Sequence, residues 1–256
     1  MEASETINKA IDFIRTNLEN KISVDDVADF CGYSKFYFCR VFKQTTGESI
    51  YSFIKRLRIE QIAFKLRTEP HRTISDICID YGISSANFTA AFKDEKKMQP
   101  YIYRKTVSSR AVVHPFFHMT DGTQRLETFE ECSKKITVEH FPDFHVVYER
   151  FIGNYRCMKD QWCEFTEKYR DFINEKTVFL DRTCDDPVLN DENRCMYDLA
   201  FIAPEGSNFG NTCVFEGGKF AVYHFKGEKM NIFAAYQNMF SVWFPETGKI
   251  IDNRYG

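Results

Sequence analysis

Between Ser34 and Thr46 the chain carries Lys35, Arg40 and Lys43 and no acidic residue. Phe36 and Cys39 lie among them. An Arg in such a setting can offer two N–H donors to the paired acceptors of a guanine edge, and a Phe can pack on a thymine methyl. A solvated basic helix face would look much the same. The two readings are separated by what surrounds the segment.

The surroundings are duplicated. "GYSKFYFCRVFK" begins at Gly32 and "GISSANFTAAFK" at Gly82, fifty residues later. At that offset Ser23 meets Thr73, Asp26 meets Asp76, Val27 meets Ile77 and Ser34 meets Ser84. Phe38 meets Phe88, Phe42 meets Phe92 and Lys43 meets Lys93. Ser23 with Asp26 has the spacing of a capping box, and Gly32 stands where a helix ends in a left-handed turn. Ser34 is the expected cap of a helix from about Lys35 to Thr45 that stops at Gly47. Each copy therefore reads as helix, tight turn, helix, and the chain as an internal repeat of that unit. Phe38 and Phe42 recur, so they belong to the core. Phe36, Cys39 and Arg40 become Ala86, Thr89 and Ala90, so they point outward. Asn87 is the strongest base-reading candidate of the second copy. That copy is expected to grip phosphates through its helix N-terminus and Lys93. The second helix of such a unit is the one that enters a major groove.

The elements holding these units read as helices. "INKAIDFIRTNL" repeats apolar residues at Ile7, Ala10, Ile11, Ile14 and Leu18. "SIYSFIKRLRIEQIAFKL" reads as a long amphipathic helix joining the two copies, and Pro70 with Thr73 restarts the chain. Residues 1–106 hold 17 Lys and Arg against 14 Asp and Glu, while the remainder holds 17 against 23. That split suits a nucleic-acid-facing part and a part with another task.

Residues 7–105 resemble the DNA-binding domain of the AraC/XylS family of bacterial transcription regulators. The resemblance is carried by "ISVDDVADFCGYSKFYFCRVFKQTTGES", "RLRIEQIAFKL", "TISDICIDYGISSANFTAAFK" and "QPYIYRK". It implies seven helices and two helix-turn-helix units set for successive major grooves. It assigns Ser34, Lys35, Phe36, Cys39, Arg40 and Lys43, with Ser84, Ala86, Asn87, Ala90 and Lys93, to the DNA face. It also implies RNA polymerase as a partner. Three positions depart from the family pattern: Ile83 follows Gly82 in place of Phe, Lys97 replaces a glycine, and Ala90 replaces an Arg. These departures weaken base reading by the second unit and leave the fold intact.

Residues 107–134 read as a linker with room for a short element. Strands are expected in "KITVEHF", "FHVVYERFIG", "KTVFLD", "CMYDLAFIAP" and "KFAVYHFKG", and helices in "MKDQWCEFTEKYRDFI" and "MNIFAAYQNMFSVWF". A "DDP" turn precedes the fourth strand. The order strand, strand–Gly, helix occurs twice, which predicts an α+β domain over 135–256 built of two similar halves. This part resembles the GyrI-like effector-binding domain, through "FPDFHVVYERFIGNY", "DDP", "CMYDLAFI", "GGKFAVYHFKG" and "VWFPETGKIIDNRYG". With the DNA domain in front, the chain is similar to Rob-like regulators. The resemblance implies an aromatic cleft for small apolar or cationic molecules, and Tyr155, Trp162, Tyr197, Tyr223 and Trp243 are its candidate walls. Cation–π contact with such rings is worth roughly 0.5–2 kcal/mol each. The family's ligand-facing Glu lies on a last strand that would follow Gly256, and that strand is expected to be missing here.

The remaining chemistry is sparse. The nine cysteines form no Cys-x-x-Cys pair, and the first residues lack the basic-then-apolar order of a secretory signal. No apolar run reaches the ~18 residues of a membrane span. A cytoplasmic location with reduced thiols is expected. His114 and His118 flank Pro115 with no further ligand near, which argues against a metal. No cofactor is expected. There is no Gly-x-Ser-x-Gly, His-Glu-x-x-His or phosphate loop, so an enzyme is not expected, although Glu149 and Glu164 would be the acids of a hydrolase. A partner protein on the acidic half is the other alternative. Two units in one chain reach two grooves without a dimer, which predicts a monomer.

Overall fold

The computed structural model describes residues 3–108, 126–185, 193–204, 206, 209–227 and 231–252. They form two compact units. The first takes 1–60 with 142–217, and the second takes 61–141 with 218–252. Each unit thus holds one helix-turn-helix copy and part of the strand-rich half.

In the first unit α1 (Ala3–Thr16) precedes α2 (Val24–Phe30) and α3 (Lys35–Thr46). Ile7, Ala10, Ile11, Ile14 and Leu18 are buried as their spacing requires. Ser23 and Asp26 close a reciprocal capping box, with Ser23 N donating to Asp26 Oδ2 at 2.7 Å. α4 (Ile50–Thr68) begins in this unit and continues into the second. Its first half is the amphipathic connector expected, with Ile50, Phe53, Ile54 and Leu57 buried and Tyr51, Ser52 and Lys55 exposed. From Ile59 to Thr68 every residue is buried. Its charged side chains are accommodated by pairing: Arg56 reaches Glu48 at 2.7 Å and Glu60 at 3.1 Å.

The sheet of the first unit runs in the order β3-β4-β2-β5, all antiparallel, from β2 (Phe144–Gly153), β3 (Phe179–Thr183), β4 (Cys195–Ile202) and β5 (Thr212–Phe215). β5 is the strand that the sequence pattern did not predict. β1 (Ile136–Phe141) belongs to the second unit. α9 (Met158–Lys168) covers one face of the sheet, where Phe165 and Tyr169 meet Phe201 with ring centroids 5.9 and 5.4 Å apart. Alternation sends the next residues to the opposite face. There the register aligns Tyr148 with Ala200, Arg150 with Asp198, and Val146 with Cys213.

The second unit contains α5 (Ile74–Asp80), α6 (Ser85–Lys96) and α7 (Pro100–Ser108). The described helices from α1 to α7 number seven, as the family resemblance implied. The linker region contributes α8 (Phe129–Ser133), capped by Thr128 with Glu131. β1 pairs with β6 (Gly218–Tyr223). α10 (Ile232–Gln237) passes through a π-helical turn, Asn238–Trp243, into α11 (Phe244–Thr247). Cys132, Val242, Trp243 and Phe244 form a core there with Leu126, Phe129, Ile136 and Ala221 around it. His114, His118, the Asp186–Pro187 part of the expected turn, and Gly256 lie outside the described residues.

Candidate functional site

The two helix-turn-helix copies share most of their local devices, and two differences bear on their display. Gly32 and Gly82 both take left-handed backbone, at φ 72° and 63°. Phe38, Phe42, Phe88 and Phe92 are at most 1 % exposed, so the repeated rings are core. The first difference is at the helix caps. Ser84 Oγ accepts the Asn87 N–H at 3.2 Å, whereas Ser34 occupies the capping position of α3 without that bond. The second is at the helix ends. Gly47 closes α3 at φ 79°, and Lys97 closes α6 at φ 53° with a side chain that a left-handed position disfavours. Among the described residues Lys97 is the one non-glycine with positive φ. A glycine at this position would take the same backbone without that cost.

The outward residues of α3 differ in kind from those of α6. Phe36 is 90 % exposed, and Lys35, Arg40 and Lys43 are exposed around it, while Cys39 is half-buried. Lys35 pairs with Asp25 at 2.8 Å, and that hydrogen bond raises its pKa. Tyr37, which sequence comparison passed over, stacks on Tyr33 at 5.3 Å and lies 5.6 Å beneath the Arg40 guanidinium. This contact holds the Arg40 guanidinium beside Tyr37 on the exposed side of α3. The offset could have found it, because Tyr33 and Tyr37 become Ile83 and Asn87. On α6, Ser84, Ala86, Asn87, Ala90 and Lys93 are exposed, and Lys93 is the cation among them.

The five rings expected around a ligand fall into separate places. Tyr155 stacks on Tyr197 at 4.8 Å, and both are buried on the α9 side of the sheet. Tyr155 Oη donates to Asp185 at 3.3 Å, and Tyr197 Oη donates to Gln161. Burial pushes the Tyr197 phenol up to about 12. Trp162, half-buried, meets Phe165 and Phe179 edge-on at 5.5 and 5.6 Å. In the second unit Trp243 is buried, with Nε1 donating to Ser133 at 3.1 Å. Tyr223 donates to Glu127 at 2.9 Å beside Lys135. Three rings thus pack under α9 and two around α8. Of the two acids noted in the sequence, Glu149 accepts from Tyr169 Oη at 2.6 Å and pairs with Lys168 at 2.5 Å, while Glu164 is exposed.

The other face of the sheet carries a charge cluster that no spacing announced. Arg150 donates to both Asp198 oxygens, at 2.7 and 2.9 Å, and to Asp12 of α1 at 2.7 Å. Arg182 also donates to Asp198, at 2.5 Å. Burial alone would raise the Asp198 pKa, yet Arg150 and Arg182 hold it well below the usual carboxylate range. Burial opposes the charge on Arg150, and Asp198 and Asp12 override it. Beside this cluster a cleft of about 340 Å³ opens between α1, α2 and the β2–β5 edge of the sheet. Among the described residues no group of three His, Cys, Asp or Glu is placed to hold a metal. No helix among them is long and apolar enough to cross a membrane.

Comparison with known proteins gives two family matches. A helix-turn-helix domain model matches residues 23–106, and a GyrI-like small molecule binding domain model matches residues 134–255. The right origin-binding protein of Escherichia coli K12 is 25% identical over 243 residues, covering 89% of this chain and 80% of that protein. The transcriptional regulator Rob of Salmonella typhimurium is 25% identical over the same length. The multiple antibiotic resistance protein MarA of Escherichia coli K12 is 34% identical over 116 residues, covering 44% of this chain and 91% of that protein.

Proposed function

Because this chain belongs to the AraC family of DNA-binding transcription regulators and carries a GyrI-like small-molecule binding domain, we propose that it reads a specific duplex sequence chiefly through α3. The observation that carries this reading is the exposed face of α3, a helix with no acidic residue of its own, on which Arg40 lies over Tyr37 beside Phe36. Arg40 reads a base edge, Phe36 packs against a base, and Lys35 and Lys43 meet phosphates. Ser34 and Cys39 line the same face. The second unit, through Ser84, Ala86, Asn87, Ala90 and Lys93, adds backbone grip and little base reading.

The proposed division of labour is a DNA domain over 1–106, a linker over 107–134 and an effector domain over 135–256. The chain acts as a monomer in the cytoplasm, contacts RNA polymerase and has no enzymatic role. Its effector is small and apolar or cationic. Of the five candidate rings, Trp162 and Tyr223 are the half-buried ones that a ligand reaches without unpacking a core.

Two titrations test this. Duplex affinity measured by anisotropy from 50 to 200 mM salt is expected to fall steeply, with a log–log slope of about −0.9 for each phosphate contact. A flat salt response would overturn the DNA reading. A thermal-shift screen of the full chain against small apolar and cationic compounds is expected to yield a stabiliser, worth about 2.7 kcal/mol at a hundredfold excess over its Kd. A screen with no binder would overturn the sensor reading.

A further inference from the structure

The cleft beside the Arg150–Asp198 cluster has walls from both halves of the sequence. α1 and α2 contribute Phe13 and Phe30, whose rings stack at 4.2 Å and 15°. The sheet side contributes Tyr148, Asn211, Thr212 and Cys213. Phe30 is 55 % exposed, an apolar surface that gains from being covered. The volume of about 340 Å³ falls within the range of small-molecule sites.

The charges around the cleft are paired with one another. Glu5 holds Lys9 at 2.9 Å, and Asp12 is shared among Arg150 at 2.7 Å, Arg182 at 3.5 Å and Arg15 at 3.7 Å. A charged ligand would gain an ion pair here only by breaking one of these. A flat aromatic ring breaks none of them, and it stacks on Phe30 while Asn211 and Thr212 offer polar contacts at the sheet edge.

We propose that this cleft is a second ligand site of the sensor, apart from the candidate rings, that it takes a flat, uncharged aromatic molecule, and that the first helix-turn-helix unit supplies one of its walls. The proposal rests on the reading of residues 135–256 as a small-molecule sensor. It adds the ligand class and the route of response, because a molecule seated there touches α1 and α2 directly. None of the five rings picked from the sequence lines this cleft.

The test is a fluorescence titration of the full chain with acridone, a neutral planar tricycle. Saturable binding is expected in the wild type. Phe30→Ala, which removes a wall, and Gly210→Phe, which adds bulk where a Cβ meets nothing within 4 Å, should each weaken it at least tenfold. Tyr101→Ala, an exposed ring on α7 outside the cleft, should leave it unchanged. Absence of saturable binding, or equal affinity in all four proteins, would overturn the proposal. Binding that ignores Phe30→Ala and Gly210→Phe but is lost in Trp162→Ala would remove the cleft while leaving the sensor reading in place. Failure of the sensor reading itself would show instead as a thermal-shift screen without any binder.

Discussion

The two helix-turn-helix units share a scaffold and differ in what they display. Four phenylalanines, two capping residues and two turn glycines recur at a spacing of fifty. On that scaffold α3 presents Phe36, Arg40 and a tyrosine ladder, whereas α6 presents Ala86, Asn87 and Ala90. Duplication therefore preserved what folding needs and released what recognition needs. On the proposed reading, base recognition is concentrated in the first copy.

The sharpest way to break this comparison is in the cores. Phe42→Ala and Phe92→Ala each empty a fully buried site and should each cost about 3–5 kcal/mol in equilibrium denaturation. A difference between them larger than that range would mean that the scaffolds are not equivalent. Next come the displays. Arg40→Ala should cost about 1–3 kcal/mol on a preferred duplex and relax preference at one position, with a smaller loss on random DNA. Ala90→Arg should raise duplex affinity or add a preference in the second groove, and identical binding curves would show that α6 stays out of it.

Smaller effects separate the helix ends. Lys97→Gly relieves a left-handed position and should stabilise the protein by about 1 kcal/mol, while Gly47→Ala should destabilise it by a similar amount. Smallest are the caps. Ser84→Ala removes a capping bond and should cost about 0.5–1 kcal/mol, and Ser34→Ala, with no such bond to lose, should be close to neutral. Chemical denaturation of the four variants checks both pairs.

The helical part was legible because its information is local. Ser23 with Asp26 caps at fixed spacing, Gly32 and Gly82 turn the chain, and the paired phenylalanines mark a core. The role of Lys97 was half legible: its departure from the family was visible, but the left-handed backbone that gives it a cost was not. In the strand-rich half, β5 is four residues long, too short for alternation to stand out. Tyr155, Trp162 and Tyr197 were singled out by type, yet type does not say which face of a sheet a helix will cover. Asp12 and Arg150 are 138 residues apart, and no periodicity links them. The cleft they border exists only once α1 lies against β2 and β5.

The most direct test of the central claim is a selection from a randomised duplex library, run in parallel with the wild type and Arg40→Ala at one salt concentration. The wild type should enrich one well-defined groove-length motif, with weak preference a helical turn away. Arg40→Ala should lose its strongest position and retain the weak half. Enrichment of the same motif by both proteins, or two equally sharp half-motifs in the wild type, would contradict the assignment of base reading to α3.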